Sequence, residues 1–142
     1  MDTSQKLLID TLKKHGYSAS KSRLAVFSAL LHQEPLTMSE IVHKLSGIVD
    51  RATVYRTIEL FEKVNVVQRL HIGWKYKIEP TDHFHEHHHH IICQNCAKLI
   101  AIDGDSHIEK DIADLAKKYS FSITSHQLEI KGICKTCQLL DV

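Results

Sequence analysis

The run Asp50-Arg51-Ala52-Thr53-Val54-Tyr55-Arg56-Thr57-Ile58-Glu59-Leu60-Phe61-Glu62-Lys63 organises the N-terminal half. Asp50 can accept the unpaired amides of a helix start. Val54, Ile58 and Phe61 then recur as one buried stripe, which leaves Arg51, Tyr55, Arg56, Glu59 and Lys63 towards solvent. Upstream, Leu8 and Leu12 mark a helix ended near Gly16, and Leu24, Phe27 and Leu31, with Leu30 alongside, mark a second. A short third helix spans Ser39 to Leu45, with Ile41, Val42 and Leu45 inward. Downstream, Val66 to His71 and Trp74 to Ile78 pair as a hairpin around Gly73. Trp74, Tyr76 and Ile78 share one face there, and Lys75 and Lys77 the other. Helices followed by a two-stranded wing make a winged helix-turn-helix: the fourth helix enters a DNA major groove and the wing lysines touch phosphate. The candidate DNA contacts are Arg51, Thr53, Tyr55, Arg56, Lys75 and Lys77. Periodicity alone fits an ordinary solvated helix face at Tyr55 and Arg56 equally well.

Charge divides the 142 residues in the same way. Residues 1–80 hold 12 Lys and Arg against 8 Asp and Glu, a net +4, and residues 81–142 hold 6 against 9, a net −3. The overall net charge of +1 averages these two. A basic half joined to an acidic one suits a nucleic-acid-binding domain attached to something else. The expected organisation is a DNA-binding domain at 1–80 joined to a second domain at 81–142. No apolar run reaches the roughly 18–20 residues that span a bilayer, and no secretory apolar segment opens the chain. The expectation is a cytoplasmic protein with no membrane partner. Gly-rich phosphate cradles and a supported Ser/His/Asp arrangement are also missing, so no enzyme activity is expected.

The four cysteines fall as two knuckles, Cys93-Gln94-Asn95-Cys96 and Cys134-Lys135-Thr136-Cys137. Four thiolates so spaced close a tetrahedral zinc site. Disulfides and a redox C-x-x-C are the competing readings. Disulfides suit exported chains, and a redox site uses a single motif. A closed site of this kind has no open coordination position, and its metal becomes part of folding.

Twelve histidines are present, six of them within residues 83–90. His87-His88-His89-His90 runs into Ile91 and Ile92, which reads as a strand. Alternation then puts His88 and His90 on one face and His87 and His89 on the other, so one run feeds two metal sites. A solvated, adventitiously metal-binding loop is the bland alternative. His83-Phe84-His85-Glu86-His87-His88 also approaches the H-x-H-x-D-H motif of binuclear zinc hydrolases. Those enzymes need further ligands far downstream, and only His107 and His126 follow residue 90. The remaining chain reads as a strand from Lys98 to Asp103, a helix with the stripe Ile108, Ile112, Leu115 and Tyr119, and a strand from His126 to Lys131. So small an α+β unit calls for zinc and dimerisation to hold it.

Arg51-Ala52-Thr53-Val54-Tyr55-Arg56-Thr57, the histidine run through Cys96 and the second knuckle together resemble the ferric uptake regulator family of bacterial metal- and peroxide-sensing repressors. The resemblance covers nearly the whole chain. It implies an α+β fold, with a winged helix-turn-helix ahead of a small α/β dimerisation domain carrying a four-cysteine zinc site. It further implies a homodimeric repressor that binds an A/T-rich palindromic operator in double-stranded DNA when metal is bound and controls metal homeostasis genes. Tyr55 would contact a thymine, and Arg56 a phosphate or base edge. Matching residue by residue, structural Zn²⁺ falls to Cys93, Cys96, Cys134 and Cys137. The regulatory hinge site matches Glu79, His88 and His90. A second site matches His87, His89, Glu109 and His126, though many relatives carry Asp where this chain has His89.

Three departures bear on the regulatory metal. Pro35 stands where iron and peroxide sensors of the family often have a ligand histidine, with His32 three residues earlier. Ala101 replaces a family carboxylate, with Asp103 two residues on as a substitute. The stretch between Glu79 and His87 is longer than usual, which adds His83 and Asp82 to the hinge candidates. The regulatory cation is Zn²⁺ or Fe²⁺, with Mn²⁺ also open, and the shortage of carboxylates tilts towards zinc. Peroxide sensing stays open too. The competing function is a zinc buffer or metallochaperone that uses the histidine run.

Overall fold

A computed structural model describes residues 2–84, 88–103 and 106–140, with Asp103 and Ser106 described by backbone alone. The chain forms two compact units, Met1–Glu86 and His87–Val142. No helix among the described residues is long and apolar enough to cross a membrane.

The first unit packs four helices against a wing: α1 (Thr3–Lys14), α2 (Lys21–Leu30), α3 (Met38–Lys44), α4 (Arg51–Lys63), β1 (Val67–Ile72) and β2 (Lys75–Pro80). Each helix start after the first is capped by a side chain. Ser20 accepts from the Arg23 amide, Thr37 and Glu40 form a reciprocal capping box, and Asp50 accepts from the Thr53 amide. Phe27 sits at the centre of the core, edge-on to Phe61 at 6.4 Å and to Phe84 at 5.3 Å between ring centroids. Thr57, absent from the expected stripe, is buried with Val54, Ile58 and Phe61.

The wing is an antiparallel hairpin in which Ile72 faces Lys75 and Gln68 faces Glu79. Gly73, at φ +63°, leads the two-residue turn, a conformation that L side chains rarely adopt. Trp74 is the second turn residue and lies outside β2, so it does not share a packed face with Tyr76 and Ile78 as the alternation suggested. Leu36 adds a short third edge, exchanging backbone hydrogen bonds of 3.0 and 2.6 Å with Ile78. The wing is tied to α4 by Arg69, whose guanidinium donates to both Glu62 carboxylate oxygens at 2.7 Å and lies 4.4 Å over the Tyr76 ring.

The second unit is a three-stranded sheet of order β4-β3-β5 with two helices: β3 (His88–Cys93), β4 (Leu99–Asp103), α5 (Ser106–Lys118), β5 (Glu129–Gly132) and α6 (Lys135–Leu140). β4 runs antiparallel and β5 parallel to β3. The sequence pattern did not reveal α6. It also extended β5 back to His126, which precedes the strand by three residues. Among the described residues of this unit, the buried side chains are His89, His90, Ile92, Cys93 and Cys137. Leu115, Tyr119 and Phe121 stay exposed. That apolar burial is too small to offset chain entropy unaided.

Phe27→Ala is expected to destabilise the first unit by about 3–5 kcal/mol. Urea unfolding followed on the α1–α4 amides measures it, and an unchanged midpoint would contradict the central place given to this ring.

Candidate metal centres and nucleic-acid interface

The first centre is built where β3 ends. Cys93 closes the strand, and the turn Gln94-Asn95-Cys96-Ala97 brings the chain back, with Ala97 at φ +64°. Parallel pairing sets Cys93 beside Gly132, so the chain leaving β5 delivers Cys134 and then Cys137, on the first turn of α6, to the same point. The Sγ atoms of Cys93 and Cys137 are 3.8 Å apart, as are those of Cys96 and Cys134. All four lie within 4.8 Å of one another, and no disulfide joins them. Zn–S bonds of about 2.3 Å give a tetrahedral edge of about 3.8 Å. Donor set and spacing therefore fit a structural Zn²⁺. The Cys96 and Cys134 amides, 3.5 and 3.4 Å from Cys93 Sγ, donate to it and draw its thiol down to about 6. Cys137 goes the other way, up to about 12: a lowering contact from Asn95 is outweighed by the neighbouring Cys134 thiol and by desolvation. Four thiols this close cannot all ionise without a cation among them.

Four residues before Cys93, on the same side of β3, His89 opens a second cluster. Glu109, in the first turn of α5, faces two imidazoles with its two oxygens. Oε1 is 2.6 Å from His89 Nε2 and Oε2 is 2.9 Å from His126 Nε2. His89 is almost fully buried, and one ligand atom from each of the three residues lies within 4.8 Å of the others. Two imidazoles and a carboxylate form a borderline donor set for Zn²⁺, Fe²⁺ or Mn²⁺. His87, the fourth residue expected here, lies outside the described residues.

His88 and His90 share the other face of β3, with ring centroids 4.5 Å apart. In the register, His88 stands opposite Asp103 and His90 opposite Ala101. Glu79 belongs to the first unit, where it is buried on β2 and accepts a 2.9 Å hydrogen bond from Gln68 Nε2. Gln68 was not singled out from the sequence, although counting back from the Gly73–Trp74 turn places it opposite Glu79. Asp82 and His83 are exposed, His83 edge-on to Phe84 at 5.4 Å. His32 lies in a turn at φ +56°.

On α4, Arg51 and Arg56 are exposed and Tyr55 is half-buried against the core, which fixes the root of its ring. The Arg51 guanidinium lies 5.3 Å over that ring. Thr53 is committed to the helix start. Its hydroxyl and amide both donate to Asp50, holding that carboxyl below its usual range, and its oxygen accepts from Arg56 Nη2 at 3.2 Å. Thr53 therefore positions Arg56. Lys75 is exposed on the wing and Lys77 half-buried.

The Ferric uptake regulator family profile matches residues 14–131. Over 135 residues, 90% of this chain and 87% of the relative, the sequence is 32% identical to the ferric uptake regulation protein of Helicobacter pylori strain 26695. It is 30% identical over 138 residues to the peroxide-responsive repressor PerR of Staphylococcus saprophyticus, covering 92% of this chain and 88% of that one. A solved Helicobacter pylori Fur structure, described as revealing three functional metal binding sites, superposes with a TM-score of 0.76 at 31% identity, covering 96% of this chain and 92% of that one. A winged helix carried in one chain with thiolate and imidazole clusters defines a metal-responsive DNA-binding regulator. The chain belongs to the Ferric uptake regulator family.

Cys93→Ser is expected to remove the tightly held zinc and to abolish hydrogen-exchange protection in β3–β5, leaving α1–α4 protected. Metal analysis with amide exchange checks this, and retained zinc would contradict the tetrathiolate assignment.

Proposed function

We propose that the chain is a homodimeric repressor that closes on an A/T-rich palindromic operator when a regulatory divalent cation binds, and so controls metal homeostasis genes in the cytoplasm without catalysing a reaction. Residues 1–80 read the DNA and residues 81–142 bind metal and dimerise, joined by a hinge about 79–86. The observation that carries this reading is the division of His88 and His90 from His89 between the two faces of β3. One face is committed to Glu109 and His126. The other offers an imidazole pair for a separate ion.

The regulatory ligands are Glu79, His88 and His90, with Asp103 and His83 as further candidates, and His87 joins His89, Glu109 and His126 at the second site. Ala101, opposite His90, offers no carboxylate where the family's iron and peroxide sensors often have one, which favours Zn²⁺ over Fe²⁺ or Mn²⁺. Such a cation represses by binding the DNA-competent arrangement of the chain better than the other. Arg51, Tyr55 and Arg56 meet the operator from α4, with Lys75 and Lys77 on phosphate. The exposed Leu115, Tyr119 and Phe121 of the second unit supply apolar surface for a second copy.

Operator binding titrated with Zn²⁺, Fe²⁺ and Mn²⁺ at buffered free concentrations tests the reading. Affinity that survives removal of the exchangeable metal would leave the chain a metal buffer instead. His88→Ala and His90→Ala are each expected to lower operator affinity at least about tenfold in metal while retaining the tetrathiolate zinc. Tyr55→Ala is expected to lose about 10- to 100-fold in specific binding with non-specific binding unchanged, and equal loss on both would sink its base-reading role.

A further inference from the structure

The wing tip carries a side chain that the fold does not use. Trp74 is 88% exposed on the two-residue turn between β1 and β2, where it touches no part of the core. Ile48 is the other large apolar residue left exposed among the described residues of the first unit. Packing has not placed the indole there, because the turn needs only Gly73. What surrounds it is cationic. Lys75 Nζ lies 5.0 Å from the indole centroid, Lys77 follows on the same strand, and no carboxylate occurs from Gln68 to Ile78. Neither lysine belongs to an ion pair among the described residues. The one arginine of the wing, Arg69, is spent on Glu62 at its base.

Resting on the DNA-binding reading above, we infer that Trp74 and Lys75 form one contact with duplex DNA: the indole face packs on deoxyribose at the edge of a minor groove while the ammonium meets the adjacent phosphate. A protein partner would want an apolar ring around an aromatic anchor, and here the ring is basic. An aromatic face beside unpaired cations matches a sugar–phosphate wall. Narrow A/T-rich minor grooves concentrate negative potential and attract such cations. The contact is blind to base identity and reads groove shape.

Trp74 is the sole tryptophan of the chain, so its own fluorescence reports the contact. Acrylamide quenching is measured on the full chain with Zn²⁺ alone and with Zn²⁺ plus an A/T-rich palindromic duplex selected from a random pool. Complex formation is verified in parallel by mobility shift. The quenching constant is expected to fall at least about threefold in the complex, as stacking on the duplex shields the ring, and to stay at its free value with Zn²⁺ alone. A verified complex with an unchanged constant overturns the inference and leaves the repressor reading standing. A fall with Zn²⁺ alone also overturns it, because protein then covers the indole. Failure of any duplex to bind overturns the repressor reading and this inference together. Trp74→Ala, at a site too exposed to affect folding, is expected to lower duplex affinity about tenfold, with Trp74→Phe recovering part of the loss. Unchanged affinity in Trp74→Ala counts against the contact.

Discussion

Side chains on a β-strand alternate between its two faces, so neighbouring residues cannot serve the same ion from one strand. β3 turns that constraint into a division of labour. His88 and His90 emerge on one side, His89 on the other beside Glu109, and Cys93 ends the strand within a thiolate cluster. Of the five buried side chains described in the second unit, four are histidine or cysteine and only Ile92 is a large aliphatic. The unit's interior is thus its metal chemistry. Parallel pairing of β5 on β3 aligns the second knuckle with the first, so closing the sheet and assembling the tetrathiolate are one event, with metal binding contributing directly to folding.

The first unit is built for the opposite property. Its core is continuous, and its wing is held to α4 by the bidentate Arg69–Glu62 pair and to the segment before α3 by the Leu36 bridge. Thr81 pins the end of β2 back to the residues that follow α4, its hydroxyl donating to the Asn65 carbonyl at 2.9 Å. Glu79 sits on that same strand, buried and held by Gln68. A force on Glu79 is therefore shared by wing and α4 together.

Much of this was legible in the residues themselves. Apolar spacing located α1, α3 and α4, whereas α2 buries Val26 and Ala29 beside the expected Phe27 and Leu30 and leaves Leu24 and Leu31 half-buried, because its neighbours cover it on more than one side. Strand alternation separated His89 from His88 and His90 because the period of two is unambiguous once the run is extended. Knuckle spacing was open to disulfides or a redox motif as well as zinc, and the four Sγ atoms within 4.8 Å of one another, with no disulfide among them, favour the metal. Where the pattern fell short, tertiary context had decided. Trp74 continues the alternation of Tyr76 and Ile78, yet the tight turn at Gly73 takes it out of the strand. His126 alternates with Leu128 and Ile130, but Glu109 holds it ahead of β5. The six residues of α6 carry no periodic signal, because the helix is fixed by Cys137 at the thiolate cluster. Thr57 reads as polar and is buried. Gln68 was hidden because its role depends on a cross-strand register.

If one divalent cation couples metal availability to DNA binding, linkage requires that coupling to be reciprocal. The decisive quantity is the affinity of the zinc-loaded protein for its exchangeable cation, measured by competition with a chelator, with and without saturating operator duplex. Operator is expected to tighten cation binding by the same factor by which the cation tightens operator binding. Equal cation affinity with and without operator would contradict the coupling.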